Sequence, residues 1–271
     1  MKHKCLSIAG FDGSGGAGIQ ADLKTFSALG CYGMTVLTAL PVQNTCGVRK
    51  CYPLPLDCIE EQLEALFDDI TPDCIKIGML FSRDIIKLVA NFLEKNAAGI
   101  PIVLDPVMIA KSGDPLLLPE AIETLKNTLL PLATLITPNL PEAYQLATPT
   151  PNREELAELL LNLGAKAVLL KGGHADSKEC NDLFVSQNHT PVWLKTKRIQ
   201  SNNTHGTGCT LSAAICAYIA LGLPLLDACS IAKHYLTGAI EAAEYNSVGH
   251  GHGPVHHFYK IWPTLNHSNE V

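Results

Sequence analysis

Charge is scarce in this chain: 17% of its 271 residues are Asp, Glu, Lys or Arg, against 47% that are hydrophobic. The net charge is −6, and no run of Lys or Arg stands out. A nucleic-acid footprint shows as a basic stripe, so no nucleic-acid partner is expected. Long uninterrupted apolar runs are also missing. The longest, residues 210–228, is broken by Gly222, Pro224 and Asp227. It spells a buried helix, a turn and a new helix start, not a membrane span. The opening Met1-Lys2-His3-Lys4-Cys5-Leu6-Ser7-Ile8 meets a glycine loop before any stretch of signal-peptide length. None of the ten cysteines forms a Cys-x-x-Cys pair, so neither a zinc ribbon nor a thioredoxin-like site is expected. Free thiols in a reducing, cytoplasmic compartment are the expectation. The G-x-x-x-x-G-K-[ST] pattern is absent, which excludes a Walker-type NTPase at the motif level.

What is present is an alternation of short apolar runs with longer helical patterns. Strands are expected at residues 5–9, 34–40, 74–77, 102–104, 132–136 and 167–170. Helices are expected at 19–29, at 57–67 with Asp57 as N-cap, at 83–94, at 207–220 and at 225–244. Residues 46–55 and 184–199 look like extended arms or hairpins. This β-α-β-α rhythm predicts an α/β fold with a mainly parallel sheet covered by helices. No linker or repeat interrupts it, so one domain spanning 1–271 is expected, with a loose tail from about residue 262.

In such sheets ligands bind beyond the carboxyl ends of the strands. Gly10, Gln43, Met79, Asp105, Asn139 and Lys171 all fall at or just after such ends. Two glycine loops add to them. Gly13-Ser14-Gly15-Gly16-Ala17-Gly18 matches G-x-G-x-x-G, but a dinucleotide turn needs an acidic residue about 20 positions on. Between Leu23 and Leu56 there is no Asp or Glu, and the second strand runs instead to Gln43 and Asn44. An amide there suits a neutral ring with donor and acceptor edges. The second loop, Thr204-His205-Gly206-Thr207-Gly208-Cys209, opens an apolar helix. Its free amides and the helix dipole suit the oxygens of a phosphoryl group. Cys209 lies in that helix's first turn, where a thiol pKa tends to fall, and it could take a proton from a substrate hydroxyl. His250, His252, His256 and His257 crowd the C-terminal segment, but their glycine-rich spacing suits a loop better than a metal cluster.

Ala9-Gly10-Phe11-Asp12-Gly13-Ser14-Gly15-Gly16-Ala17-Gly18-Ile19-Gln20-Ala21-Asp22-Leu23-Lys24-Thr25 resembles the opening of hydroxymethylpyrimidine/phosphomethylpyrimidine kinases. These are thiamine-pathway members of the ribokinase-like superfamily. Six further runs match in family order. They are Thr38-Ala39-Leu40-Pro41-Val42-Gln43-Asn44-Thr45, Lys76-Ile77-Gly78-Met79-Leu80, Leu104-Asp105-Pro106-Val107-Met108, Thr137-Pro138-Asn139-Leu140-Pro141-Glu142-Ala143, Lys171-Gly172-Gly173-His174 and Asn203-Thr204-His205-Gly206-Thr207-Gly208-Cys209. Phe11 and Gly13 depart from the pattern, standing where many relatives carry Ser or Thr and then Pro. Cys209 stands where sugar kinases of the superfamily carry Asp, and the pyrimidine branch commonly carries Cys there.

The resemblance implies a central sheet of about eight strands, a homodimer, ATP and Mg2+. It implies phosphorylation of 4-amino-5-hydroxymethyl-2-methylpyrimidine and then of its monophosphate. By position, Gln43 would bond the pyrimidine edge, Asp22 and the backbone at Gly10 would help hold the ring, and Met79 and Val107 would pack on it. Asp105, Asn139 and Glu142 would form the magnesium and triphosphate corner, with Asp105 and Glu142 nearest the metal. Lys171 would meet the ATP phosphates. Thr204 would join the nucleotide site, and Gly206, Thr207, Gly208 and Cys209 would form the anion hole, with Cys209 beside the substrate hydroxymethyl. A pyridoxal or pyridoxine kinase and a catalytically silent pyrimidine binder are the alternatives. Intact Asp105, Lys171 and the run from Gly206 to Cys209 speak against the silent one.

Overall fold

In a computed structural model, the described residues are 2–110, 113–173, 179–187, 189–244 and 248–262. The expected tail therefore lies, except for Trp262, outside the described residues, as does His174. Trp262 stacks on Phe258, with ring centroids 5.2 Å apart.

The chain alternates strand and helix as its apolar runs predict. In order come β1 (Lys4–Ala9), α1 (Gly18–Ala28), β2 (Tyr32–Leu37), β3 (Ala39–Asn44), β4 (Gly47–Pro53), α2 (Leu56–Phe67), β5 (Cys74–Ile77) and α3 (Arg83–Asn96). Next are β6 (Ile102–Leu104), α4 (Ile122–Thr124), β7 (Leu135–Ile136), α5 (Leu140–Leu146), α6 (Arg153–Leu161) and β8 (Ala167–Leu170). The last are β9 (Asp182–Ser186), β10 (Val192–Leu194), α7 (Thr207–Ala220) and α8 (Leu225–Glu241). Eight strands form one sheet in the order β10-β9-β8-β7-β6-β5-β1-β2. It is parallel from β2 through β8, and β9 and β10 extend it antiparallel.

Strands buried on both faces need apolar residues at every position, which is why the alternating pattern of a half-exposed strand is missing. Leu6, Ile8, Ile75, Ile77 and Leu104 face a core under α2, α3 and α6. Cys5, Cys74, Val103 and Leu135 face a second core under α1, α7 and α8. Among the described residues no helix is long and apolar enough to cross a membrane.

Three local expectations are corrected. The second strand does not run through residue 40. It ends at Leu37, because Thr38 turns the chain: its N–H donates to the Ala9 carbonyl at 3.0 Å and its hydroxyl to the Met79 carbonyl at 2.7 Å. The following β3 pairs antiparallel with β4 as a separate two-stranded sheet, bulged between Val42 and Gln43. Asp57 does not cap α2; Pro55 holds that place, and Asp57 sits one step inside the first turn. The strand expected at 132–136 shrinks to β7, since Pro131 closes a 3-10 turn over Leu130–Leu132. The arm or hairpin expected at 184–199 is an antiparallel pair, β9 with β10, which extends the main sheet.

Candidate functional site

The parallel strands deliver their carboxyl ends to one edge, where a cleft of about 360 Å³ opens. Gly10 follows β1, Met79 follows β5, Asp105 and Val107 follow β6, and Asn139 follows β7. Lys171 follows β8, and the hairpin β3–β4 contributes Gln43. Glu142 enters from α5, and Gly206, Gly208 and Cys209 from the start of α7. A second cavity of about 390 Å³ lies beyond Lys171 and is lined by residues 196–201, Leu211, Lys233, Leu236 and Ile240. The two share Asn139, Lys171, Thr204, Thr207 and Gly208. A molecule lying in both would therefore pass across the N-terminus of α7.

That N-terminus is shaped by Gly206, its N-cap, at φ +77°. A side chain there would be strained and would collide with the Gly16 carbonyl. Thr210 N–H is bonded to the Gly206 carbonyl at 2.8 Å. The Gly208 and Cys209 amides precede it and have no acceptor inside the helix. They form an anion-accepting end reinforced by the dipole of a 14-residue helix. The thiol of Cys209 departs from expectation. Burial pushes it up to about 11, against the pull of Lys76 and of an N–H from Gly18. It is a neutral thiol at physiological pH, not an activated thiolate.

The acidic corner is tightly wired. Lys171 Nζ lies 2.8 Å from Asp105 Oδ1 and 3.9 Å from Glu142 Oε2. Thr137 Oγ1 donates to the same Asp105 oxygen at 3.0 Å. Burial alone would depress the Lys171 ammonium, but Asp105 and Glu142 outweigh it and hold the group above its usual range. Glu142 and Asn139 form a reciprocal capping box on α5: Asn139 Oδ1 accepts from Glu142 N at 2.9 Å, and Glu142 Oε2 from Asn139 N at 2.8 Å. Burial raises the Glu142 carboxyl to about 7, opposed by Lys171. Glu142 thus serves its helix and also faces the cleft. Two carboxylates at one wall are hard oxygen donors of the kind a divalent cation that keeps its water accepts.

On the ring side, Gln43 Nε2 donates to the Phe11 carbonyl at 3.3 Å, which steadies its amide at the cleft wall. A Cβ on Gly10 would sit 2.8 Å from Met79 Sδ, so the bare backbone is needed for that approach. Asp22 is the one predicted site residue that lines neither cavity. It is fully buried, with Oδ2 accepting from Lys76 Nζ at 2.8 Å and from Ser7 Oγ at 2.5 Å. Lys76, equally buried, is what reaches the cleft. Burial alone would lower its ammonium; the Asp22 carboxylate, with Asp105 behind it, holds it above its usual range.

Sequence reasoning had missed Lys76 and His205, which also lines the cleft. The signal for Lys76 was available: one cation inside the four-residue apolar strand Cys74–Ile77. His257 is buried with Nε2 3.1 Å from Thr210 Oγ1, and His252 lines the second cavity.

Comparison with known proteins gives this geometry a family. The hydroxymethylpyrimidine/phosphomethylpyrimidine kinase of Rhizobium meliloti is 48% identical over 267 residues, covering 97% of this chain and 99% of that one. A phosphomethylpyrimidine kinase structure from Clostridium difficile is 46% identical with a TM-score of 0.77, covering 88% of this chain and all of that one. The pyridoxal kinase of Staphylococcus aureus, solved with AMP-PCP and pyridoxal, is 38% identical with a TM-score of 0.86, covering 96% and 94%. A family profile described as phosphomethylpyrimidine kinase matches residues 12–256, the stretch that supplies nearly every cleft residue, and the chain belongs to that family.

Proposed function

We propose that the chain works as one kinase domain that phosphorylates 4-amino-5-hydroxymethyl-2-methylpyrimidine and then its monophosphate, with ATP as donor, in thiamine diphosphate biosynthesis. The observation that carries this reading is the pair of cavities meeting at the N-terminus of α7. The pyrimidine lies in the first, with Gln43 on its polar edge and Met79 and Val107 against its faces. The nucleotide lies in the second and its phosphates cross the shared wall, where Lys171, Thr204 and the amides of Gly208 and Cys209 meet them.

The cation-accepting corner is Asp105 and Glu142, which would hold Mg2+ largely through its waters. When bound, that ion supplies charge neutralisation for the triphosphate. The chain's own groups do the rest. The cleft holds the hydroxymethyl oxygen against the transferring phosphorus, which is the main demand of a loose phosphoryl transfer. With its pKa near 11, the Cys209 thiol packs beside the acceptor oxygen and is not the base. Helix-end amides take up charge that develops on the phosphoryl oxygens. The protein acts in the cytoplasm as a homodimer.

A pyridoxal kinase reading is favoured by one observation, the likeness to a structure holding pyridoxal in the same fold. Both rings carry a hydroxymethyl group. ADP release from purified protein, with hydroxymethylpyrimidine, its monophosphate or pyridoxal, each with and without magnesium, decides between them. Turnover highest on the two pyrimidines and dependent on magnesium is the expected result. Pyridoxal far above both pyrimidines would overturn the assignment, and tight pyrimidine binding with no turnover would make the chain a silent binder.

A further inference from the structure

The two glycine loops are joined by a carboxylate–imidazole contact for which the transfer chemistry above has no use. Asp12 is fully buried at the head of the first loop. Its Oδ1 accepts from Ser14 N at 3.0 Å and Ser14 Oγ at 2.7 Å. Its Oδ2 accepts from Gly16 N at 3.0 Å and Ala17 N at 2.7 Å. A carboxylate offers about four lone-pair sites, so the first loop already fills them. His205 Nε2, in the second loop, nevertheless lies 2.8 Å from the same Oδ2. The fifth contact is not needed to satisfy Asp12. Its effect is to tie one loop to the other.

The surroundings fix the tie. A Cβ on Gly16 would run into the His205 ring, and one on Gly206 into the Gly16 carbonyl, so the loops interlock through bare backbone. On its far side His205 N–H donates to the Gly253 carbonyl at 2.9 Å, and the residue forms a bridge with Pro254. His205 is held from both flanks and is followed at once by Gly206, whose φ of +77° sets where α7 begins.

We propose that His205 is a positioning residue: its Nε2–H bond to Asp12 fixes the second glycine loop against the first and so aims the Gly208 and Cys209 amides. The proposal rests on the kinase reading above. It differs from a purely structural role in where its loss is felt. His205 borders the first cavity, but the residues placed on the ring, Gln43, Met79 and Val107, stand on other elements, so binding largely survives while the alignment needed for transfer is lost.

The test compares wild type with His205→Ala and His205→Gln, the latter able to donate to Asp12 from its own amide. Steady-state ADP release gives kcat and both KM values, nucleotide titration gives Kd, and thermal melting controls for folding. His205→Ala is expected to lower kcat about 10- to 100-fold with both KM values within about threefold, and His205→Gln to recover most of the loss. Nitrogen-15 spectra of wild type should show His205 with its proton on Nε2, and Asp12→Asn should shift that signal. An unchanged kcat, KM values rising in step with the loss, no recovery with Gln, or a proton on Nδ1 alone would overturn the proposal. If His205→Ala does not fold, His205→Asn, too short to reach, is compared with His205→Gln instead. If wild type turns over no pyrimidine, the pyrimidine-kinase reading is what has failed. The kinetic comparison then runs on pyridoxal, and the imidazole signal still decides whether the tie exists.

Discussion

Replacing Lys76 by Met should unfold the protein's deepest electrostatic contact. The side chains of Lys76 and Asp22 are both fully buried, with Nζ and Oδ2 2.8 Å apart. Asp22 Oδ1 has no hydrogen-bond partner, so removing the ammonium leaves Ser7 Oγ as the only donor to a buried carboxylate among the described residues. Breaking one side of such a pair costs about 3–5 kcal/mol, because the remaining charge is stranded. For a chain of this size, that is a fall in melting temperature of roughly 6–20 °C. Replacing both residues, as Asp22→Leu with Lys76→Met, removes the stranded charge and should recover most of the loss.

The pH dependence has a definite sign. Burial already raises the Asp22 carboxyl above its ordinary value, and loss of Lys76 removes the main opposing influence. A carboxyl raised in the folded state leaves stability intact below its unfolded value, about 3.9, and costs stability as pH climbs through its folded value. The Lys76→Met deficit should therefore be smallest near that acid limit and widen towards neutrality. Urea unfolding followed by circular dichroism at a series of pH values reads this directly. A single variant no worse than the double, or a deficit flat across the series, would refute the stranded-charge argument.

Three further outcomes follow from the site. Gly206→Ala should lose about 1–2 kcal/mol from its left-handed backbone alone, plus the collision with Gly16, and should show lower turnover and a lower urea midpoint; wild-type values for both would displace Gly206 from its role. Cys209→Ser should keep most of the turnover, since a thiol held near 11 is not the base, and iodoacetamide should label Cys209 slowly at pH 7; a loss of several orders of magnitude would restore the thiol to the chemistry. His257, lowered to about 3 mainly by burial, binds its proton far less readily folded than unfolded, so its contribution is present above about 6.5 and is lost as pH falls towards 3. His257→Gln should flatten that part of the acid unfolding curve, and an unchanged curve would contradict the burial argument.

The residues legible in the sequence share a physical cause. Gly10, Met79, Asp105, Asn139 and Lys171 stand where apolar runs end, and a parallel sheet sends all such ends to one edge. Strand recognition was therefore enough to collect them, whatever the strand order. Lys76 and Asp22 needed more. They lie 54 positions apart on β5 and α1, and they meet only because β5 pairs with β1 beneath that helix. Asp12 and His205 are 193 positions apart and have no shared strand to announce them. The break at Thr38 was hidden for another reason: Met34 through Val42 is uniformly apolar or β-branched apart from Pro41, and only a tertiary bond to Met79 ends the strand. The thiol of Cys209 was misjudged because the helix-end rule assumes solvent, while this helix end is covered by Lys76, Gly18 and the cleft wall.

Two glycines two residues apart at the head of α7 are required for different reasons, and the difference locates the reaction. Gly206 is demanded by conformation, since its backbone is left-handed and pressed on Gly16. Gly208 is the second residue of the helix, and its backbone is not left-handed, so its presence asks for another cause. A Cβ at position 208 would lie 3.3 Å from Asp105 Oδ2 and 3.5 Å from Lys171 Nζ. The side chain is absent at a point that borders both cavities and both members of the main ion pair. A methyl there would leave the passage narrower. On the proposed reading, the helix accepts this residue where a phosphate chain would lie against its first turn, which is also where the two proposed substrates would meet.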